Sequence, residues 1–524
     1  MTIKEQLKKC FITNKRLGLS LVLASLYIGF ALTLNFFSQI EDMKLYPLIA
    51  AIILALLVVT ICSMSEGRIV SNPISGTNAS SIFKISFFIV FTGQLLYIAA
   101  YYPGGFNLDA YGQWDQIHGF VQWDNWHPIL TTMIYWLLTR IIDSVGFCIC
   151  VQMFFFSLAV ASLMKALAEA GISKGIIVVL NVVIALDPSV GMNNVCLVKD
   201  VYFTIGVLLL SGVMIKMYVS GGEWINNRKN TLILILISAF IVLVRHNGVI
   251  YVFPAFLMMF IHYKDCLKRL MFAMISTIMI VSVFVAVSTG VMNVRKHSNF
   301  VGEIVGVPMA AMANAYVNNY DNTPQDVKEY FEEIADRENW NKLYVVGEWD
   351  SCKWDYGGID LLKGEKLSTI IGMFFETCRS CPQEVFQSIR ENTRIVWQLI
   401  GRIDWAPWIY IETPNDYSIS ENSIPAAKII VKKVEEISYH PLAAFLVWNV
   451  GVKIIGLLIF GLLALKDKEW KKNLLLIPMF CYVFGTMLLL SGPTHRYFYF
   501  VSVLMGPYLA FMILGREVVS SDEV

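Results

Sequence analysis

Charge is scarce in this chain. Of 524 residues only 15% are Asp, Glu, Lys or Arg, where a soluble domain carries about a quarter. The short motifs of well-known chemistries are missing too. There is no P-loop, no HExxH, no GxSxG and no pair of CxxC motifs, which removes P-loop nucleotide hydrolysis, zinc proteolysis and the nucleophile elbow from consideration. Net charge is only +1, and no basic run marks a nucleic-acid binder. No fixed-period repeat occurs. The ten cysteines are mostly scattered through apolar stretches, where a thiol behaves as a small hydrophobe. Cys378 and Cys381 form one isolated CxxC, without the second pair a structural zinc site needs.

What is present is apolar sequence in long blocks. Apolar residues make up 56% and mean hydropathy is +0.60. The blocks approach the ~20 residues that cross ~30 Å of hydrocarbon. They predict spans near Leu17–Phe37, Tyr46–Ser63, Ile82–Tyr101, Phe147–Leu167, Gly175–Leu186, Val201–Tyr218, Thr231–Val244, Val249–Tyr263, Leu270–Val291, Pro441–Leu465, Leu474–Leu490 and Tyr497–Leu514. The expected fold is therefore an all-α polytopic membrane protein of about 12 transmembrane helices. The first span follows MTIKEQLKKCFITNKR with no small-residue cleavage site, which reads as a retained helix.

Lys and Arg then orient the chain. With a cytoplasmic N-terminus, about nineteen fall in cytoplasmic segments, among them Lys8, Lys9, Lys15, Arg16 and the KDKEWKK cluster at 466–472. About four fall in short outer loops: Lys44, Lys199, Arg245 and Arg496. Such a bias puts both termini inside. Three parts result: a transmembrane module over 1–292 carrying an outer loop at 102–128, a mainly helical extracytoplasmic segment over 293–440, and C-terminal transmembrane hairpins over 441–524. Ile129–Arg140 is apolar but too short to cross and reads as an interfacial helix.

The unusual polar residues gather on the outer side of this topology. The loop YYPGGFNLDAYGQWDQIHGFVQWDNWHP at 101–128 holds Asp109, Asp115 and Asp124 but no Lys or Arg. Asp109 falls in the first turn of a predicted short helix, with Gln113 one turn on. It is either a helix N-cap or a general base whose pKa is raised by desolvation. Asp115 and Asp124 are weaker candidates, as metal ligands or as ordinary loop acids. His127-Pro128 starts a helix, with Pro at its first position, and its imidazole would face the same region. Lys199-Asp200 precedes the sixth span. Arg245-His246-Asn247-Gly248 interrupts two short apolar arms, which sinks Arg245 towards hydrocarbon, where an unpaired Arg is costly; phosphate is a natural partner for it. His495 and Arg496 add a further cationic site before the last span, where a helix-end Arg snorkelling to the interface is the plainer reading.

An outer-loop Asp in a PG…D…Q setting, then His-Pro, a later Lys-Asp, the turn at Arg245–Gly248 and a final Arg-Tyr pair resemble the GT-C superfamily of polytopic membrane glycosyltransferases, closest to a group of bacterial members. The resemblance runs loosely from Ile82 to Leu514. It implies a GT-C-like fold, Asp109 as the catalytic acidic residue, and Lys199, Arg245 and Arg496 on the phosphate of a polyprenyl-phosphate sugar donor. Two features depart from it: the loop follows the third span rather than the first, and Asp109 stands without an adjacent acid.

The expected activity is transfer of a sugar to a glycan, lipid or protein acceptor outside a bacterial cytoplasmic membrane. Substrate binding would fall to Gln113, His127, Lys199, Asp200, Arg245, His246, His495 and Arg496. The lipid bilayer is the other expected partner, nucleic acid is not one, and a divalent cation (Mg or Mn) is the one cofactor left open. A transporter or flippase of lipid-linked saccharides, or another lipid-headgroup transferase, is the alternative.

Overall fold

Runs of Leu, Ile, Val, Phe and Ala with neither Gly-Pro punctuation nor period-two alternation favour helices, and helices are what they form. The computed structural model describes residues 76–296, 300–354, 357–362, 365–398, 406–407, 409–466 and 469–515. The expected spans Leu17–Phe37 and Tyr46–Ser63 lie outside these residues. Among the described residues there is no strand, only isolated bridges such as Gly105 with Cys196.

Among the described residues, the first ten helices in chain order are α1 (Gly76–Tyr101), α2 (Leu108–His118), α3 (Ile129–Thr139), α4 (Val145–Glu169), α5 (Lys174–Leu186), α6 (Pro188–Asn194), α7 (Lys199–Val219), α8 (Arg228–Val244), α9 (Val249–His262) and α10 (Leu267–Gly290). Among the described residues, four stretches are long and apolar enough to cross a membrane: Ala79–Tyr101, Val145–Glu169, Lys199–Val219 and Lys264–Gly290. At 1.5 Å per residue, ~20 residues already span the hydrocarbon. A fifth results if α5 and α6, bent by 57° at Asp187, count as one span. Membrane association follows from these helices. Their packing differs in kind: α7 is almost wholly buried within the protein, whereas the Lys264–Gly290 stretch is mostly uncovered and turns side chains such as Phe272, Ile275 and Met279 outward. Where no protein covers such a helix, lipid is the medium that suits it.

Other expected spans are shorter or broken. The run at 231–263 breaks where expected, at Arg245, whose backbone is extended (φ −152°, ψ 125°). The run Pro441–Leu465 divides into Pro441–Val447 and Val450–Lys466. There Trp448 stacks on Tyr439, with centroids 5.4 Å apart, and donates Nε1–H to Ser438 Oγ at 3.0 Å. The last helix, Tyr499–Leu514, carries Pro507 inside it.

The chain forms two compact units. Of the described residues, one unit holds those up to Arg295, those within 399–482 and those from Arg496 onward; the other holds those within 296–398 and 483–495. The stretch 293–440 is thus divided between them. The second unit is built around fully buried Trp340, Trp349, Phe331 and Tyr316, with Trp340 Nε1–H donating to Phe331 O at 2.9 Å. Trp354, by contrast, keeps an exposed ring.

Candidate functional site

The first unit assembles the outer loop by a close backbone contact. Gly104 has φ +107°, and a Cβ there would come within 2.5 Å of Val195 O and 2.3 Å of Ile149 Cδ1. Only glycine fits both the left-handed backbone and the space. Gly105 N donates to Val195 O at 2.9 Å and Leu197 N donates to Gly105 O at 3.1 Å. The Pro-Gly-Gly turn is thereby fastened two residues ahead of Lys199. Phe106, fully buried, bonds through its backbone to Tyr410 and Glu412.

Helix α2 starts from this anchor. Its N-cap is Asn107, whose Oδ1 accepts from Ala110 N at 3.1 Å. Capping therefore falls to Asn107, and the carboxylate of Asp109 is left for other work. One turn on, Gln113 is buried, and its amide nitrogen donates to Thr131 Oγ1 at 3.1 Å and Thr132 Oγ1 at 2.8 Å. Both of its N–H groups are occupied. Gln113 ties α2 to α3, and so sets Asp109 opposite His127, which precedes α3.

Asp109 is the centre of an ionic cluster. Arg496 Nη1 donates to its Oδ2 at 2.7 Å, and His127 Nε2 stands 4.0 Å from its Oδ1. Lys199 Nζ lies 3.2 Å from His127 Nδ1. Burial pushes the Asp109 carboxyl up, but Arg496, then His127 and Lys199, outweigh it and hold the group well below the usual carboxylate range. Sequence reasoning expects a desolvated carboxyl with a raised pKa; the structure reverses that, because opposite charge beside a carboxylate favours ionisation. His127 moves down to about 3, through burial first and Lys199 second, with Asp109 opposing. It is a neutral imidazole at physiological pH.

Beside this cluster lies a buried pair. The Arg245 guanidinium contacts Asp200 Oδ1, with side chains 5% and 1% exposed. The guanidinium also lies over the rings of Tyr497 (4.9 Å), Phe203 (5.6 Å) and Tyr482 (5.9 Å), and its Nε donates to Asn247 Oδ1 at 3.2 Å. Sequence reasoning expects this sunken arginine to seek a phosphate; within the fold it has a carboxylate and an aromatic cage. Arg496 also lies over Tyr497, at 5.3 Å, so one phenol ring serves both arginines. Tyr497 is the residue that sequence reasoning underweights. Its adjacency to Arg496 is the one signal pointing to it.

The remaining candidates have plainer positions. His246 Nε2 lies 3.2 Å from Asn125 O and helps hold the loop before His127. Asp115 Oδ1 accepts from the Tyr417 hydroxyl at 2.7 Å, and Asp124 Oδ1 from Trp126 N at 2.9 Å; both order the loop. His495 is fully buried and clusters with the second unit. Among the described residues no three His, Cys, Asp or Glu side chains converge as a metal site requires.

A model of a protein family described as a family of unknown function (DUF6020) matches residues 114–355. That span includes His127, Lys199, Asp200, Arg245 and His246, and excludes Asp109 and Arg496. No curated protein and no solved structure matches the chain.

Proposed function

We propose that this protein is a membrane glycosyltransferase of the GT-C kind, moving a sugar from a polyprenyl-phosphate donor to an acceptor hydroxyl on the outer face of a bacterial cytoplasmic membrane. The observation that carries the reading is the meeting of Asp109, His127, Lys199 and Arg496, drawn from four separate segments. One carboxylate beside an arginine, a lysine and a neutral imidazole suits a reaction in which an anion leaves while a hydroxyl loses its proton. The acceptor oxygen bonds to the anomeric carbon of the sugar, and the bond from that carbon to the phosphate oxygen breaks. The electron pair departs with the polyprenyl phosphate, and the acceptor's proton goes to Asp109. Lys199 and Arg496 would offset the charge on the leaving phosphate.

The reading carries with it about twelve crossings, both termini inside, and residues 293–440 outside. Arg245 and Asp200 would shape the site, through Tyr497. The test is release of sugar, to water or to an added hydroxyl acceptor, from short-chain polyprenyl-phosphate sugars by the full-length protein in nanodiscs. Asp109→Asn should lower turnover by about 10²-fold or more. Turnover by Asp109→Asn equal to wild type, with an unchanged melting curve, would remove the proposed base.

A second reading is favoured by the 57° bend between α5 and α6 and the break at Arg245, since broken helices also occur in transporters. Movement of lipid-linked saccharide across liposomes without covalent product would select it.

A further inference from the structure

The contact between Asp109 and Arg496 uses little of what either group offers. Arg496 gives one N–H to Asp109 Oδ2 at 2.7 Å, and its Nη2 reaches the Tyr497 hydroxyl at 3.5 Å. Its Nε is buried without a hydrogen-bond partner among the described residues. A guanidinium carries five N–H donors in a flat fork that fits two oxygens of a carboxylate or phosphate at once, so this fork is largely unfilled. On the other side, Asp109 Oδ1 has His127 Nε2 only at 4.0 Å. The two side chains keep 26% and 33% of their exposure, whereas Arg245 and Asp200 are closed off.

Resting on the function proposed above, we infer that the Asp109–Arg496 contact is a lock which the substrate's own phosphate opens. Asp109 occupies the place on Arg496 that a lipid-linked phosphodiester takes, and binding passes the guanidinium from carboxylate to phosphate. The lock explains why a base should rest against an arginine. In the closed state the groups facing Asp109 are Arg496 ahead of the last helix, His127 ahead of α3 and Lys199 at the start of α7; burial raises the carboxyl and these groups outweigh it. Once Arg496 turns to the phosphate, burial and the new anion both raise the carboxyl, and the carboxylate becomes a stronger base when the substrate is in place. Tyr497 keeps the guanidinium close throughout, through its ring at 5.3 Å.

Binding, measured apart from turnover, tests the lock. The probe is a short-chain polyprenyl methyl phosphodiester, singly charged and without sugar, titrated into the full-length protein in nanodiscs. Asp109→Asn removes the internal competitor and should bind the probe about tenfold tighter than wild type, while Arg496→Gln should bind it about tenfold more weakly. The double variant should behave as Arg496→Gln alone. The wild-type chain supplies an independent reading: calorimetry at pH 5 in buffers of different ionisation enthalpy should show proton uptake on binding. Equal or weaker binding by Asp109→Asn, or absence of proton uptake, overturns the lock. If the wild type binds the probe and only these signatures fail, the lock falls and the transferase stands; if nothing binds the probe, both fall.

Discussion

Lys199 Nζ sits 3.2 Å from His127 Nδ1, the arrangement in which an ammonium donates to a neutral imidazole. An ammonium can only donate, so Nδ1 accepts and the ring proton resides on Nε2, the atom that faces Asp109. A second positive charge on the ring would oppose Lys199 in a buried place, which accords with the fall of the His127 pKa to about 3.

Acid sensitivity follows from that neutral ring. The folded pKa lies below the ordinary 6.5, so the unfolded chain binds the extra proton more readily. Above pH 6.5 the group adds no pH dependence. As pH falls from 6.5 towards 3 it draws stability away, by up to about 1.4 kcal/mol per pH unit. His127→Gln should flatten this part of the melting-temperature profile between pH 7 and pH 4. An unchanged slope would show that another group governs it.

The buried pair yields a different pattern. Asp200→Asn or Arg245→Met alone leaves the other partner's charge buried and unpaired and should cost about 3–5 kcal/mol. Asp200→Leu combined with Arg245→Met removes both charges and should recover much of that loss in thermal unfolding. Turnover of the double variant should stay low, because Tyr497 and with it Arg496 lose their support. A double variant no more stable than the singles would mean that the pair acts through something other than charge.

Gly104→Ala isolates the anchor of the outer loop. The new methyl would need a left-handed backbone and would press on Val195 O and Ile149 Cδ1; each such strained residue costs about 1–3 kcal/mol. The variant should show a lower melting temperature and faster proteolysis in the 101–128 loop. A Gly104→Ala protein that melts with wild type would contradict the tight approach of the turn to residues 195–197.

Much of the backbone was legible from hydropathy alone. The stretches 145–169 and 199–219 form helices close to their expected bounds, because a long apolar run has one economical way to satisfy its own amides in lipid. The break at Arg245 was legible as well, since an arginine and a glycine interrupting short apolar arms are poor helix interior. The run at 441–465 reads as continuous, yet its helix is interrupted between Val447 and Val450; hydropathy averages over a window and does not register so short an interruption.

By itself, then, the sequence determined that the chain is helical, that its helices suit a membrane, and which few polar residues stand out against that background. Tertiary structure decided who pairs with whom. Asp109 and Arg496 are far apart along the chain, as are Asp200 and Arg245, and nothing in local pattern says which carboxylate meets which guanidinium. Ionisation depends on distance and on burial, and both arise only when the helices pack.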